Sequence, residues 1–417
     1  MPVKIKLKIL MLSEYYPPFD QGGSEWSTIY LARSLVKKGH RIMIFTPNYG
    51  TKPHETRDKI EIIRFPFRSG RIAKKAPLSP IFYTNIYWWF LTTVYLYRVV
   101  RVFKPSHIHI QGKYFLPAAI LIGKLLHIPV ILTVRDYILL CPFGYCIERK
   151  RNYHACSLSE VVIEDLPKQW KINNTPLIIK IPLIAAAVRG WVISWLLRKC
   201  LSHCDKVVTI SNKMRFIHMH NGVKIDAVIY NSNIFTKRKI VSNRDTILFS
   251  GRLTYGKGVE ILTTAYNNLY TKIDNLPSLL IVGSGPLEQQ LKQKKSSNVY
   301  FYQKLKHSQL MLMMQKAHFV IVPSIWEEPF GRVALEALYL GTPVLATNRG
   351  ALPEIVTNKI TGMVVNPTVK GIEKGIKYLL GNEAKLRGLL KKNRLHLLRK
   401  FTTDPIDKYE HLYSELL

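Results

Sequence analysis

Short apolar runs separated by amphipathic stretches recur along the whole chain. In the first half the runs at 5–12, 41–46, 107–110, 130–134 and 206–210 predict strands, with helices over 24–39 and 117–127. In the second half the runs at 246–249, 279–282, 299–302, 319–322 and 344–346 predict strands. Helical spacing fills the gaps at 258–270, 286–293, 307–316 and 331–340. The strand runs are continuous rather than alternating, which suits strands covered on both faces. Strands alternating with helices predict an α/β chain of parallel, doubly wound sheets.

A chain of 417 residues exceeds what one core usually holds, so two or three domains are expected. The polar, basic run at 235–245 is the predicted linker. It separates an N-terminal domain, 1–235, from a C-terminal domain, 245–400. The basic, helical end of the chain, 401–417, is expected to pack back on the first domain. No tandem repeat of 20–50 residues is visible. Ligands of such sheets bind beyond the carboxyl ends of the strands, so a cleft between two domains is the expected site.

Composition narrows the class. Hydrophobic residues make up 47% of the chain, as in a globular protein. The net charge of +34 is extreme. Residues 1–240 hold 37 Lys and Arg against 13 Asp and Glu, whereas residues 241–417 hold 24 against 14. Such a surface seeks polyanions: nucleic acid, anionic membrane or an acidic substrate. The five cysteines are an odd number in a long chain, which argues against a secreted disulfide framework. The N-terminal MPVKIKLKILML lacks a small-residue cleavage site and reads as a first buried strand. No stretch of about 20 apolar residues is free of charge, so no spanning helix is expected. These features together predict a cytoplasmic protein, soluble or peripheral on the inner face of the membrane.

Residues 327–338 read EEPFGRVALEAL. Pro329 disfavours helix at Glu328, so Glu328 belongs on a loop. Val333, Ala334, Leu335, Ala337 and Leu338 then suit a packed helix that carries Glu336. A loop acid and a helix acid thus flank a helix N-terminus, whose open N–H groups favour anions. This suits a ligand with hydroxyls and phosphates, such as a nucleotide sugar. On this segment alone, a solvated Glu pair beside an ordinary capped helix reads equally well.

Three further turns join a strand to a helix. Ser250-Gly251-Arg252-Leu253-Thr254-Tyr255-Gly256-Lys257-Gly258 puts glycines beside two cations, a pattern for approaching and neutralising a phosphate. Taken with the Glu328/Glu336 segment it forms one coherent anion site. Gly22-Gly23 precede Ser24, a candidate N-cap, and would let backbone approach an anion. Gly283-Ser284-Gly285-Pro286 is not a dinucleotide fingerprint and has no acid placed for a ribose.

These segments, with HIHIQ at 107–111, TVRDYILLCPFGYC at 133–146, VVTIS at 207–211, FSGRLTYGKGVEIL at 249–262, IVGSGP at 281–286, VPSIWEEPFGRVALEAL at 322–338, GTPVLATNRGALPEIV at 341–356 and TGMVVNP at 361–367, resemble the retaining glycosyltransferases of family 4. The resemblance runs nearly end to end and is loosest at 47–105 and 147–205. It implies the GT-B fold, two Rossmann-like doubly wound domains facing across a cleft. It also implies transfer of a sugar from a nucleoside-diphosphate donor to a glycan, polysaccharide-precursor or lipid-linked acceptor. By that likeness Arg252 and Lys257 bind the diphosphate and Glu336 the ribose hydroxyls. Glu328 binds the sugar hydroxyls, helped by backbone N–H groups of Phe330 and Gly331. Gly251 and Leu305 line the donor, and Gly22 and Gly23 close over the diphosphate from the first domain. Cations and helix dipoles would stabilise the leaving group, so no metal is expected, and no protein nucleophile is assigned.

Two positions depart from the family pattern. Arg135-Asp136-Tyr137 stands where His-Asp-Tyr is usual, and Gln111 stands where a His often follows His109. Arg135 can donate hydrogen bonds to the donor sugar but cannot act as a base near neutral pH. An enzyme with impaired catalysis is the corresponding alternative. His109 reads as a buried structural histidine. Cys141, Cys146, His154 and Cys156 could ligate a metal, but their spacing matches no standard zinc knuckle, and a Cys-bearing loop is the simpler reading. Cys200 and Cys204 read as core thiols.

Residues 62–135 contain no Asp or Glu, but 11 Lys and Arg and 13 aromatics. A second aromatic, basic stretch covers 177–199, with Trp191 and Trp195 beside Arg189, Arg198 and Lys199. Aromatics with flanking cations suit the surface of an anionic membrane, here as a helix lying on it. Basic charge with aromatics also suits single-stranded nucleic acid, but no nucleic-acid module motif is present and the charge is spread.

Overall fold

A computed structural model describes residues 6–19, 23–67, 83–144, 153–172, 176–177, 180–232 and 245–417. The predicted linker, apart from Asp245, lies outside the described residues, as does Gly22. The chain forms two compact units, one of residues 1–234 with 400–417 and one of residues 235–399.

Unit 1 is built from β1 (Lys8–Leu12), α1 (Gly23–Lys37), β2 (Arg41–Asn48), β3 (His54–Arg57), β4 (Ile60–Pro66), α2 (Ile86–Phe103), β5 (His107–Ile110), α3 (Leu116–Leu126) and β6 (Val130–Val134). It continues through α4 (Leu166–Ile172), α5 (Lys180–Cys200), β7 (Lys206–Thr209), α6 (Asn212–His220) and β8 (Ala227–Val228). The eight strands lie in the order β3-β4-β2-β1-β5-β6-β7-β8. All pair in parallel except β3 with β4. The chain starts at β1, winds outward through β2, then returns to β1's other side at β5. The loops after β1 and β5 therefore meet at the carboxyl edge, where such sheets open a crevice.

Unit 2 repeats the plan. It holds β9 (Thr246–Ser250), α7 (Val259–Tyr270), β10 (Ser278–Val282), α8 (Glu288–Gln293), β11 (Val299–Tyr302), α9 (His307–Lys316) and β12 (Ala317–Val322). After these come α10 (Arg332–Tyr339), β13 (Val344–Thr347), α11 (Leu352–Ile355), β14 (Gly362–Val365) and the long α12 (Val369–Arg399). Six parallel strands lie in the order β11-β10-β9-β12-β13-β14. Here the reversal falls between β9 and β12, so the turns after those two strands are neighbours. The strands are apolar on both faces: Ile247, Leu248, Phe319, Val320 and Ile321 are all fully buried.

The last helix, α13 (Asp404–Ser414), belongs to unit 1. Ile406, Tyr409, Leu412 and Tyr413 join one core with Ile9, Met11, Ile131 and Val208. Its polar face is tied down as well. Lys38 pairs with Asp407 and Glu410, and His40 Nε2 lies 2.9 Å from Glu410. In the core, the Tyr413 hydroxyl meets His109 Nδ1 at 2.6 Å and the Tyr409 hydroxyl meets Thr133 at 2.9 Å.

One sequence expectation needs correction. The strands β3, β4, β8 and β14 were not predicted; all lie at or next to a sheet edge, β3 is polar, β8 and β14 are brief, and the apolar run of β4 is broken by Glu61 and Arg64. Lys180–His203 is long and apolar enough to cross a membrane by length and composition. The helix runs through Pro182 because a proline in the first turn breaks no internal hydrogen bond.

Tyr413→Phe removes the partner of a buried imidazole and should cost unit 1 about 1–3 kcal/mol. Tyr413→Ala, which also opens a cavity, should cost about 3–5 kcal/mol. Urea unfolding checks both, and equal midpoints for the two variants would contradict the packing account.

Candidate active site

The turns after β9 and β12 are locked together by backbone. Ile325 and Trp326 both donate to the Gly256 carbonyl, at 3.0 and 3.2 Å. Gly258 has φ +66°, and a Cβ there would sit 1.9 Å from the Pro323 carbonyl oxygen. No other residue lets the two turns approach so closely. The turn after β13 closes the third side. Gly350, at φ +56°, lies where a Cβ would be 2.0 Å from the Glu328 carbonyl oxygen, which also accepts Ala351 N–H at 2.8 Å. Glu327 accepts Gly350 N–H at 2.6 Å, and Arg349 lies 3.5 Å from its other oxygen.

Glu328 is the hub of this arrangement. Its two oxygens lie 2.8 and 2.9 Å from Lys257 Nζ. Ser324 Oγ and Trp326 Nε1 donate to Oε2 at 2.8 and 2.9 Å. Burial pushes the carboxyl group's pKa up, but Lys257, Ser324 and Trp326 outweigh it and hold the group below its usual range. Glu328 is therefore ionised. The Lys257 ammonium also sits 4.9 Å from the centre of the Trp326 ring, a cation–π contact.

The helix that follows starts at Gly331, in the left-handed region at φ +95°, with no side-chain cap. The first N–H groups of α10 therefore have no intrahelical acceptor. Glu336 is buried one turn further on. His307 Nε2 meets its Oε1 at 3.0 Å and Arg332 Nε donates to the same oxygen at 2.7 Å. Burial raises its pKa, but His307 and Arg332 overcome this and hold the carboxyl below normal. Phe330 is buried, Leu305 is half-buried before α9, and Arg252 is exposed. Gly251 packs on the ring of Phe249. Unit 2 thus brings Arg252, Lys257, Glu328, Phe330, Gly331 and Glu336 onto neighbouring loops and one helix start.

Unit 1 presents its own polar centre where the β1 and β5 loops meet. Arg135 donates to Asn231 at 2.5 Å and to Gln111, while its Nε has no hydrogen-bond partner among the described residues. Gln111 Nε2 lies 2.8 Å from His109 Nε2. Burial, then the charge of Arg135, keeps the His109 imidazole neutral, so it serves as a structural group joined to α13. Gly23, the first residue of α1, is exposed. Cys141 is disulfide-bonded, and Cys146 lies outside the described residues. Cys156, Cys200 and Cys204 are reduced thiols. The ligand atoms of Cys141, Cys156 and Asp165 lie within 4.8 Å of one another, whereas His154 pairs with Glu160 at 2.9 Å.

Several participants were missed from sequence. Ser324 and Trp326 stand four and two residues before Glu328, and a polar side chain so near a loop carboxylate was the available signal. Arg332 stands four residues before Glu336 on the same helix, a spacing visible in the sequence, whereas His307 reaches Glu336 through the fold. In unit 1, Glu14 is half-buried, accepts Tyr114 N–H at 3.0 Å and is pushed above the normal carboxylate range by desolvation. Lys113 bridges to Asp136 at 2.6 Å.

Comparison with known proteins decides the family. Residues 21–232 match the profile of Glycosyltransferase Family 4, and residues 231–396 match Glycosyl transferases group 1. The chain belongs to glycosyltransferase family 4. An uncharacterised glycosyltransferase of Methanocaldococcus jannaschii is 24% identical over 87% of this chain and 85% of its own length. A 2-deoxystreptamine N-acetyl-D-glucosaminyltransferase of Niallia circulans is 23% identical over 94% and 97%. Among solved structures, sucrose-phosphate synthase of Thermosynechococcus elongatus matches with a TM-score of 0.72 at 18% identity, covering 99% of both chains. The Anabaena protein HepE, solved with UDP and glucose, matches at 0.66 and 16%, covering 98% of this chain and 99% of its own. The fold of this glycosyltransferase is GT-B.

The depressed pKa of Glu328 sets a sign for the pH dependence of this glycosyltransferase. Stability from the Glu328–Lys257 pair is fully present above the ordinary carboxylate value of 4.5 and is lost as pH falls through the lower folded value. Glu328→Gln should flatten part of the acid limb of urea-unfolding stability and cost roughly 1–3 kcal/mol at pH 7. An unchanged acid limb would contradict the pairing.

Proposed function

We propose that the enzyme is a retaining hexosyltransferase. It moves a sugar from a nucleoside diphosphate to a glycan, polysaccharide-precursor or lipid-linked acceptor on the cytoplasmic side of the membrane. Unit 2 is the donor domain and unit 1 the acceptor side. One observation carries the reading: a buried, ionised Glu328 held by Lys257, Ser324 and Trp326 beside an uncapped helix start. A carboxylate fixed in this way accepts hydrogen bonds from sugar hydroxyls and cannot act as an acid. The adjacent cations and N–H groups suit a diphosphate.

In this scheme Arg252 and Lys257 bind the diphosphate, with Gly251 and Leu305 lining its path. Phe330 and Gly331 supply backbone N–H groups. Glu336, oriented by His307 and Arg332, accepts from the ribose. Arg135 donates to the transferred sugar. The bond from the anomeric carbon to the phosphate oxygen breaks while the acceptor oxygen bonds to the same face. The acceptor's proton passes to the departing phosphate oxygen. Charge on that oxygen is met by Lys257, Arg252 and the α10 dipole, so the reaction needs neither a divalent metal nor a protein nucleophile. Solved structures of the same fold include one bound to UDP and glucose and one bound to ADP and acarbose.

A second reading rests on Arg135, already engaged by Gln111 and Asn231 and standing where the family often has His: transfer is impaired. Arg135→His separates the two. A rise in turnover supports impairment, and a fall supports Arg135 as a sugar contact.

Glu328→Ala, Lys257→Ala and Arg252→Ala should each lower transfer by about 100-fold or more. Glu336→Ala should raise KM for the donor roughly 10-fold. A thermal-shift screen over uridine, guanosine and adenosine diphosphate sugars identifies the donor, since a ligand bound only by the folded state raises Tm. Product NMR reads the anomeric configuration, and a chelator should leave the rate unchanged. Full activity in Glu328→Ala would end the assignment.

A further inference from the structure

Three helices of unit 1 lie side by side, with α3 contacting both α2 and α5. Each buries one stripe. In α2 it is Trp88, Thr92, Leu96, Val100 and Phe103, spaced at helical intervals. In α5 it is Ala187, Ile193, Ser194 and Leu197. The opposite stripes face outward and are not polar. Ile86 is 85% exposed and Phe90 65% on α2, Leu121 57% and Leu125 61% on α3, and Ile181 77% and Trp195 41% on α5. Lone exposed apolar residues need no explanation, but an apolar stripe repeated on three adjacent helices does.

Charge identifies what covers it. None of the three helices contains an Asp or Glu. They do carry Arg98, Arg101, Lys124, Lys180, Arg198 and Lys199. Lys124 falls between Leu121 and Leu125 on the same face. Lys199 lies 6.0 Å from the Trp195 ring, and Arg98 lies 5.5 Å from the Tyr95 ring. Aromatics capped by cations, over aliphatic side chains and on helices without an acid of their own, match the boundary between anionic headgroups and acyl chains. A protein partner would need carboxylates placed against each cation. A bilayer needs none placed.

We infer that the outward face of α2, α3 and α5 docks unit 1 in the plane of an anionic bilayer. Although α5 is long enough to span, its packing argues for lying flat. Its inner stripe is already buried in unit 1, and Arg189 near its middle donates to Thr84 at 2.6 and 3.0 Å. Crossing would strip both. Apolar side chains enter to about 5–10 Å and the cations meet phosphates. The inference deepens the proposed function, since it would bring a lipid-linked acceptor to unit 1, and it rests on that reading only for its purpose.

The test is flotation of the full chain with phosphatidylcholine vesicles, with and without phosphatidylglycerol. Binding should appear with phosphatidylglycerol, fall steeply with added salt and be reversed by carbonate extraction. The triple change Phe90→Glu, Leu121→Glu, Trp195→Glu should lower the bound fraction by about tenfold or more. The Tm rise given by the nucleotide-sugar donor should be unchanged, which also shows that the variant folds. Equal flotation with neutral vesicles, undiminished binding by the variant, or resistance to carbonate would overturn the inference. So would a dimer in solution that the triple change dissociates while vesicles bind neither form. If donor sugars give no Tm rise to the unaltered chain but it floats as described, the donor reading fails and the docking surface stands.

Discussion

The structure of unit 2 turns on one buried carboxylate. Glu328 cannot be ionised in that position without compensation, because an uncompensated charge in a low-dielectric interior costs several kcal/mol. Lys257, Ser324 and Trp326 supply the compensation. They come from two turns that are adjacent only because the strand order reverses between β9 and β12. The backbone bonds from Ile325 and Trp326 to Gly256, and the close approaches at Gly258 and Gly350, follow from the same requirement. Remove the carboxylate and the ammonium loses its closest anion. Loosen a glycine and the turns cannot meet. Sheet topology and site chemistry are therefore one constraint seen at two scales.

Unit 1 solves a related problem differently. Its carboxyl-edge centre contains a neutral imidazole, two tyrosine hydroxyls, a threonine and a guanidinium, all largely out of water. Hydrogen bonds rather than ion pairs satisfy most of them. Part of that network, Tyr409 and Tyr413, comes from the last helix of the chain. The first unit is thus completed by residues made after the second. Without α13, His109 and Thr133 would lose hydrogen-bond partners and Ile9, Met11 and Ile131 would lose cover.

Much of this was legible in the sequence where local and global preferences agree. The continuous apolar runs marked the central strands, because a strand covered on both faces has no polar alternation to confuse it. Predicted residues 107–110 and 130–134 coincide with β5 and β6, and 299–302 with the edge strand β11. The edge strands β3 and β8 were hidden for the converse reason: β3 is almost wholly polar, and β8 spans two residues. The loop acid, the helix acid and the glycine-rich turn could be read directly, since each announces itself by its neighbours. His307 could not: it reaches Glu336 from α9, which only three-dimensional packing reveals, whereas Arg332 stands four residues before Glu336 on the same helix, a spacing that was there to read. The stretch 177–199 was legible as a helix, although Pro182 and Arg189 look like interruptions in a linear window. In the helix one falls in the first turn and the other is held by Thr84.

The charge of +34 can be understood by asking where the acids went. Carboxylates are scarce, and many are already committed. Glu328 and Glu336 are buried against cations, Glu383 accepts from His318 and Arg387, Glu410 anchors α13, Asp136 holds Lys113, and Asp205 and Asp226 accept backbone N–H groups of Val130 and Val207. Acids used to position loops and helix ends do little to neutralise the surface. The excess cations are left outside, and on α2, α3 and α5 they stand among exposed apolar side chains. A solvated basic surface would be expected to pair Lys and Arg with polar neighbours. Cations set among exposed Ile, Phe, Leu and Trp are instead placed for an environment that is anionic at one depth and apolar at the next, and none of those three helices carries an acid of its own.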